Sequence, residues 1–490
     1  MSQPDRQVEV AVVGGGVSGL TCGFWLKRGG RSVVVLERSA EPGGCVRTLR
    51  QDGWIFELGP NTITDASGVV ERLCAAAGLQ SRLIEAGTGA RNRYIYKRGN
   101  GSSGRSEEGG RLIPLPLSPL AFARTPLLPL RAKLRLFREP FIPRRREETE
   151  ESVADFVRRR LGREVLENFV GPFISGVYAG DPERLSIRWA VRRIHALERD
   201  HGSLIRGALA RRKGPAPGGK LISFKRGLAE INEALAASLE GDLRLRTRAT
   251  RLRHAPPHFE VETTDEDGRP GRLRASRVIL ASPADAVAPL IEGLAPGRGA
   301  PFAEIPYAAV VSVALGLPDG PFARQLDGFG FLAPRIENLE ILGCLFSSSL
   351  FEGRTPPQGV ALTVLAGGAT QPELVRMPDG ELMETVARDL RRALGPLPEP
   401  VFTHVTRWPR AIPQYNTGHG RFVELARSLE EAFPGLHLAG NLLHGISVAD
   451  CIENATSLCD SILGGADAPG VQPPGRSGSA EARAAAASHG

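Results

Sequence analysis

Lysine is scarce in this chain. Lys27, Lys97, Lys133, Lys213, Lys220 and Lys225 are all there are, so 56 of the 62 basic residues are arginine. That bias reflects codon composition before function. Aromatics make up only 6%, and no basic stretch carries base-stacking rings, which argues against a nucleic-acid binder. The six cysteines include no CxxC and several lie in apolar runs, which argues for reduced core thiols in a cytosolic chain rather than a disulfide framework. The start, Met1 to Arg6, has no apolar stretch of the kind a signal peptide needs. No run of about 18 apolar residues exists, so no spanning helix is expected. The expected location is the cytoplasm.

What is present is ordinary for a soluble globular protein: 41% hydrophobic and 24% charged residues over 490 positions. That length suggests two to four domains. The net charge of +8 favours anionic partners: phosphates, carboxylates or acidic lipid. The residues from 467 to 490 are small, polar and Ala-rich, and read as a disordered tail.

The first sixty residues carry a dinucleotide-binding pattern. Val8 to Val13 is a β-branched run suited to a buried parallel strand. Gly14-Gly15-Gly16-Val17-Ser18-Gly19 follows, then a helix over Leu20 to Arg28 and a strand over Ser32 to Leu36 that ends at Glu37. Gly14 permits the tight turn, Gly16 lets backbone approach a pyrophosphate, and Gly19 lets the helix pack closely on the strand. The pyrophosphate would lie on the helix N-terminus, where unpaired N–H groups point. Glu37, 18 residues after Gly19, stands where a ribose hydroxyl needs an acceptor. A second turn, Gly43-Gly44, then Cys45, Arg47 and the strand Trp54 to Leu58 entering Gly59-Pro60-Asn61-Thr62, suits a long extended cofactor, hence FAD rather than NAD.

These segments resemble the flavin amine-oxidase superfamily and, within it, the bacterial protoporphyrinogen oxidases. The narrower likeness lies in Asn92-Arg93-Tyr94-Ile95-Tyr96, Ser175 to Pro182, Leu185-Ser186, Asp327 to Leu332, Ile412 to Tyr415, Gly440-Asn441 and Asp450-Cys451-Ile452. The resemblance implies a mixed α/β fold with three parts. A Rossmann-like FAD-binding domain would use residues 1–90, 215–300 and 401–466. A β-sheet substrate domain would use 301–400. A helical, membrane-associating insertion would use 91–214. It further implies non-covalent FAD held by Gly14 to Gly19, Glu37, Arg38, Gly44, Cys45, Arg47, Gly59 to Thr62, Ala249, Trp408, Ile446, Ser447 and Val448. Cys45 and Ala249 depart from the family, which more often has an aromatic at the first and a valine at the second.

The implied reaction is the six-electron oxidation of protoporphyrinogen IX to protoporphyrin IX, with oxygen or a quinone as acceptor and a homodimer as the working unit. Flavin carries the hydride step, so no side chain is expected to act as catalytic acid or base, and no metal is expected. Arg93 matches the family arginine that meets a propionate. Leu332, Leu345 and Leu365 match positions that sandwich the macrocycle, or are plain core leucines. Gly176 and Phe331 fit the pocket wall; Gly176 reads equally as a structural turn. His444 either faces the flavin or sits in solvent. Coproporphyrinogen III is the alternative substrate, and its four propionates call for more cations than Arg93 alone. An amine oxidase or desaturase on the same scaffold is a further alternative. A flavin-free binding protein of this fold is opposed by the intact glycines and Glu37.

Local patterns support several strands: Asp242 to Leu252, a hairpin over Val261 to Leu280, Ala308 to Leu315, Val360 to Ala366 and Gly435 to Asn441. Helical spacing appears over Glu150 to Leu161, Arg188 to Arg199 and Val448 to Leu463. The stretch Leu112 to Pro129, followed by arginine-rich Leu130 to Arg146, reads two ways. It is either a monotopic contact on the inner face of the membrane or a proline-rich loop packed on its own domain.

Overall fold

The continuous apolar run at the start forms the centre of a parallel sheet. A computed structural model describes residues 6–99, 110–116, 118–145, 150–211, 219–320, 322 and 326–464; the tail expected over 467–490 lies outside them. Strand Arg6–Val13 lies between Val33–Leu36 and Pro270–Leu280, and Leu243–Arg244 extends the sheet beyond Val33–Leu36, all parallel. All four residues of Val33–Leu36 are buried, as a strand covered on both faces requires. One face packs on helices Val17–Arg28, Ala229–Ser238 and Val448–Ile462. Helices Ala284–Leu294 and Gly420–Ala432 cover the other.

The long strand Pro270–Leu280 serves two neighbours on one side. Its first half pairs antiparallel with His258–Thr264, and its end pairs parallel with Leu436–Leu438. The expected single strand over Asp242 to Leu252 is broken in two. Leu243–Arg244 joins one edge, while Arg248–Ala255 pairs with His258–Thr264 at the far edge. The break lies at Arg246, whose φ is 52°, where the chain bends round the end of Val33–Leu36: Thr247 N donates to Glu37 O at 2.8 Å.

A second seven-stranded sheet runs in the order Phe402–Pro413, Tyr307–Pro318, Gly359–Gly367, Ile341–Leu345, Gly330–Leu332, Arg93–Arg98, Gly110–Pro114. Helix Asp379–Leu394 covers one of its faces through Leu382, Val386 and Leu390. Two expected boundaries change here. The region from 91 opens with two strands of this sheet rather than with helices, and Phe402–Pro413 belongs to this sheet rather than to the parallel one. Tyr94, Ile95 and Tyr96 are all buried, because the strand is covered on both faces.

Between residues 118 and 211 the described chain is mostly helical. The expected helices form at Val153–Arg160 and Arg192–His201, each starting a few residues late. The first begins where Ser152 Oγ accepts from Asp155 N at 3.0 Å, an N-cap.

Candidate active site

The first turn is built as its glycines demand. Gly14 has φ of 113°, and a Cβ there would lie 2.6 Å from Ala281 O. A Cβ on Gly19 would lie 1.8 Å from Gly14 O, so helix and turn touch backbone to backbone. Gly16 differs: a Cβ there would meet nothing within 4 Å, so its backbone opens outward. Gly16 also caps helix Val17–Arg28 with no side chain, and no acid stands in the first turn. Free N–H groups beside open backbone fit the pyrophosphate of a dinucleotide.

The second turn closes on the first. Gly43 N donates to Gly15 O at 2.7 Å, and Gly44 lies against Gly16 Cα. Glu37 accepts from Gly15 N at 2.7 Å and from Ser39 N at 2.8 Å, which fixes its carboxylate against the first turn. Arg38 is exposed beside it, and half-buried Ala249 follows the Thr247–Glu37 backbone contact.

Towards the other end, Gly59 packs against Cys45, where a Cβ would lie 2.0 Å from Cys45 O. The Cys45 thiol opens to the surface, yet the protein around it is dense enough that burial pushes its pKa up. Trp408 reaches across from the second sheet and donates Nε1–H to Leu58 O at 2.7 Å, and the Arg47 guanidinium lies 5.9 Å from its ring. Asn61 Nδ2 donates to Gly59 O at 3.0 Å, and Pro60 and Thr62 are half-buried. Ser447 caps the last helix in a reciprocal box with Asp450, between half-buried Ile446 and buried Val448. Gly440 faces Ser18 Oγ. These contacts bring the glycine turns, Glu37, Cys45, Gly59, Trp408 and the start of helix Val448–Ile462 into one neighbourhood beside the parallel sheet.

The second sheet presents an apolar face. Leu332, Leu345 and Leu365 are partly exposed, whereas Phe331, Cys344 and Val364 beside them in sequence are 3%, 2% and 0% exposed. Register explains the contrast. Gly343 pairs with both Leu332 and Leu365, and Gly330 pairs with both Leu345 and Arg93. Directly paired residues share a face, so the three leucines and Arg93 project to one side. Phe331 is corrected by the same parity. It projects to the opposite face, into the core under helix Asp379–Leu394, and forms no wall of the slot.

Gly176 lies within helix Gly171–Tyr178, not in a turn; a Cβ there would lie 2.3 Å from Leu332 Cδ2. The helix thus closes over the leucine row. Arg93 stands at the rim, 4.9 Å from the Phe329 ring, and desolvation lowers its pKa. The nearby carboxylate of Asp327 is occupied by Asn92 Nδ2 at 3.0 Å and the Tyr94 hydroxyl at 2.9 Å. Among the described residues Arg93 has no carboxylate partner.

His444 is not a solvent residue. Its ring stacks on Trp189 at 6.1 Å, and burial, then Arg192 and His419, push its pKa down to about 4. Sequence reading missed Glu57 and Arg354. They form a buried ion pair at 3.1 Å, 6% and 3% exposed, directly before the Leu58–Thr62 turn. The signal was there: an acid ending the buried strand Trp54–Glu57 needs a partner. Beside them Asn61 and Ser347 complete a cavity with about 10 Å³ for a water centre.

Residues 17–463 match the family described as flavin containing amine oxidoreductase. Coproporphyrinogen III oxidase of Bacillus subtilis (strain 168) is 27% identical over 479 residues, covering 94% of this chain and 98% of the relative. A chloroplastic protoporphyrinogen oxidase of Oryza sativa subsp. japonica is 31% identical over 481 residues, covering 91% of this chain and 86% of the relative. A solved structure from Exiguobacterium sp. 255-15, assigned as a protoporphyrinogen oxidase, matches with a TM-score of 0.76 at 24% identity, over 94% of this chain and 99% of that one. At that identity the likeness speaks for the fold alone.

Proposed function

We infer the chemistry from one fact: this chain belongs to the flavin containing amine oxidoreductases and is a flavin-dependent oxidoreductase. We propose that the flavin is FAD, bound non-covalently, and that the substrate is protoporphyrinogen IX, oxidised to protoporphyrin IX with oxygen or a quinone as final acceptor. The names of the relatives support a porphyrinogen in haem biosynthesis. The observation that carries the reading is the partly exposed row of Leu332, Leu345 and Leu365 beside Arg93, which has no carboxylate partner among the described residues. A flat apolar macrocycle with carboxylate arms suits that combination. A small alkylammonium does not, because a cation at the rim repels it.

Bound flavin supplies the hydride acceptor, and six electrons require three rounds. The chain supplies position. The leucines offer the ring a dry support, Arg93 sets its orientation in the plane through a two-pronged carboxylate contact, and Gly176 lets the roof helix approach. The N-terminal end of Val448–Ile462 favours negative charge beside it.

Purified protein is expected to be yellow, to lose the colour from the polypeptide on acid denaturation, and to form fluorescent porphyrin from protoporphyrinogen IX faster than a blank. Retention of flavin with no porphyrin above the blank overturns the substrate. Arg93→Ala should raise KM for protoporphyrinogen about tenfold, the loss of roughly 1.4 kcal/mol, with kcat nearly unchanged. A fall in kcat alone would assign Arg93 to another role.

We also propose that the segment from Leu120 to Phe141 contacts an anionic membrane face. Leu130, Leu134, Phe137 and Phe141 are 71%, 57%, 75% and 80% exposed, with Arg131, Lys133, Arg135 and Arg138 interleaved. Leu127, Leu128 and Ala132 are buried, so the same segment is anchored to its own domain. Among the described residues no helix is long and apolar enough to cross a membrane. Phe137→Asp with Phe141→Asp should cut co-sedimentation with anionic vesicles at least about tenfold. Equal sedimentation of both proteins removes the proposal.

A further inference from the structure

We propose that the buried Glu57–Arg354 pair is the proton outlet of the reaction. A chain from the Thr363 hydroxyl to the Ser347 hydroxyl, a cavity water and Glu57 carries pyrrole protons away from the slot floor. This rests on the porphyrinogen reading above and adds to it the residues that remove protons.

The reaction needs such a route. Each round takes a hydride from a carbon bridge to the flavin of that reading and a proton from a pyrrole N–H, and neither leucines nor Arg93 can accept a proton. Register supplies an acceptor. In strand Gly359–Gly367, Leu362, Val364 and Ala366 are buried under helix Asp379–Leu394, so Thr363 shares the opposite face with Leu365. Across the ladder Thr363 pairs with Leu345. It therefore lies in the floor between two of the three leucines. Ser312 and Thr406 share that face, through pairing of Leu365 with Ser312 and of Ser312 with Thr406. Among the described residues, however, only the Thr363 hydroxyl of these three has a side-chain hydrogen bond leading away. Ser347 Oγ lies 2.8 Å from it, and either oxygen can be the donor, as a relay requires.

Ser347 begins the short helix Ser347–Leu350 and lines, with Glu57, Asn61 and Arg354, the cavity beside the Leu58–Thr62 turn, which has room for a water. Leu350 and Phe351, also in its wall, pack with Leu345, which ties the cavity to the slot floor. Arg354 Nη1 is buried with no well-aligned hydrogen bond among the described residues, although Glu57 Oε1 is 3.1 Å away. A water there satisfies that N–H and bridges Ser347 to Glu57. On the far side the Thr48 hydroxyl donates to Glu57 Oε2 at 2.6 Å, and Thr48 is half-buried at the start of strand Thr48–Gln51. A proton arriving on Glu57 thus has an exit through Thr48 to bulk water. Burial pushes the Glu57 pKa up against the opposing pull of Arg354, Thr48, Leu228 N–H and Arg50, so this carboxylate takes a proton more readily than an exposed one. The step balances. The N–H bond breaks and its electron pair stays with the ring as the hydride leaves the bridge, and each hydroxyl gains one proton as it passes on another.

A crystal structure of the yellow protein should show an ordered water within hydrogen-bond reach of Ser347 Oγ and the Glu57 carboxylate; an empty cavity breaks the chain and overturns the proposal. Rapid mixing with protoporphyrinogen IX in the absence of oxygen, in H2O and in D2O, tests the rest. Thr363→Val and Ser347→Ala should each slow flavin bleaching roughly 10- to 100-fold and show a larger solvent isotope effect than the wild type, while Thr363→Ser restores most of the rate. Glu57→Gln with Arg354→Gln, which leaves no charge unpaired, should behave like Thr363→Val. Bleaching at the wild-type rate in these variants, or a loss with an unchanged isotope effect, makes the residues structural and overturns the outlet while the porphyrinogen reading stands. A yellow wild type that neither protoporphyrinogen IX nor coproporphyrinogen III bleaches removes both.

Discussion

Gly16→Ala should give a protein that folds normally and comes out nearly colourless, whereas Gly19→Ala should lose both flavin and stability. The two glycines lie three residues apart and do different work. A methyl on Gly16 meets no protein atom within 4 Å, so the apo fold has no reason to change. It stands on the open backbone that a pyrophosphate would approach in the proposed FAD site, next to the uncapped N–H groups of Val17–Arg28. A methyl on Gly19 lies 1.8 Å from Gly14 O and 3.0 Å from Gly14 C. Gly14 cannot yield, since its own position is set by Ala281 and Ser282. The helix must move off the sheet, which costs about 1–3 kcal/mol or more by overpacking. Flavin content from visible absorbance, with apo-protein melting, separates the cases. Wild-type flavin content in Gly16→Ala would remove the crevice as the cofactor site.

Arg160→Met should destabilise the helical region by about 3–5 kcal/mol, the range for stripping one partner from a buried ion network. Arg160 and Glu139 are both 0% exposed. The guanidinium donates to Glu139 Oε1, Glu198 Oε1, Ile142 O and Gly202 O, so its removal leaves buried Glu139 with no cation among the described residues and Glu198 with Arg159 alone. Glu139 lies in the segment that carries Phe137 and Phe141, and Glu198 in the helix that begins with Arg192. Local opening, followed by hydrogen exchange or limited proteolysis, should therefore release the segment of Phe137 and Phe141 and helix Arg192–His201 together. Arg160→Met with Glu139→Gln and Glu198→Gln should recover part of the loss; a single variant as stable as the wild type would show the network to be energetically idle. Burial alone would raise the Glu198 pKa, but hydrogen bonds from Arg159 and Arg160 win and hold it below its usual 4.5. The stabilisation this carboxylate provides is thus present above about pH 4.5 and is lost as pH falls through the lower folded value.

The glycine-rich turn was legible in the residues because its constraints are short-range. A positive φ at Gly14, open backbone at Gly16 and close contact at Gly19 are properties of six neighbouring residues and the strand before them. The buried strands Arg6–Val13 and Val33–Leu36 and the helix Val448–Ile462 were legible for the same reason, through unbroken apolar runs and helical spacing.

Only the tertiary structure decided which face a strand residue uses and which arginine remains unpaired. Phe331 and Leu332 are adjacent and both apolar, yet pairing of Gly330 with Leu345 sends one to the core and the other to the slot. Among the described residues Arg93 has no carboxylate partner, while Asp327 is met by Asn92 and Tyr94, and Glu57 is tolerable in the interior because Arg354 meets it. Each of those outcomes depends on residues far away in the chain. Steric rules act between neighbours, but register and charge compensation exist only once distant segments meet.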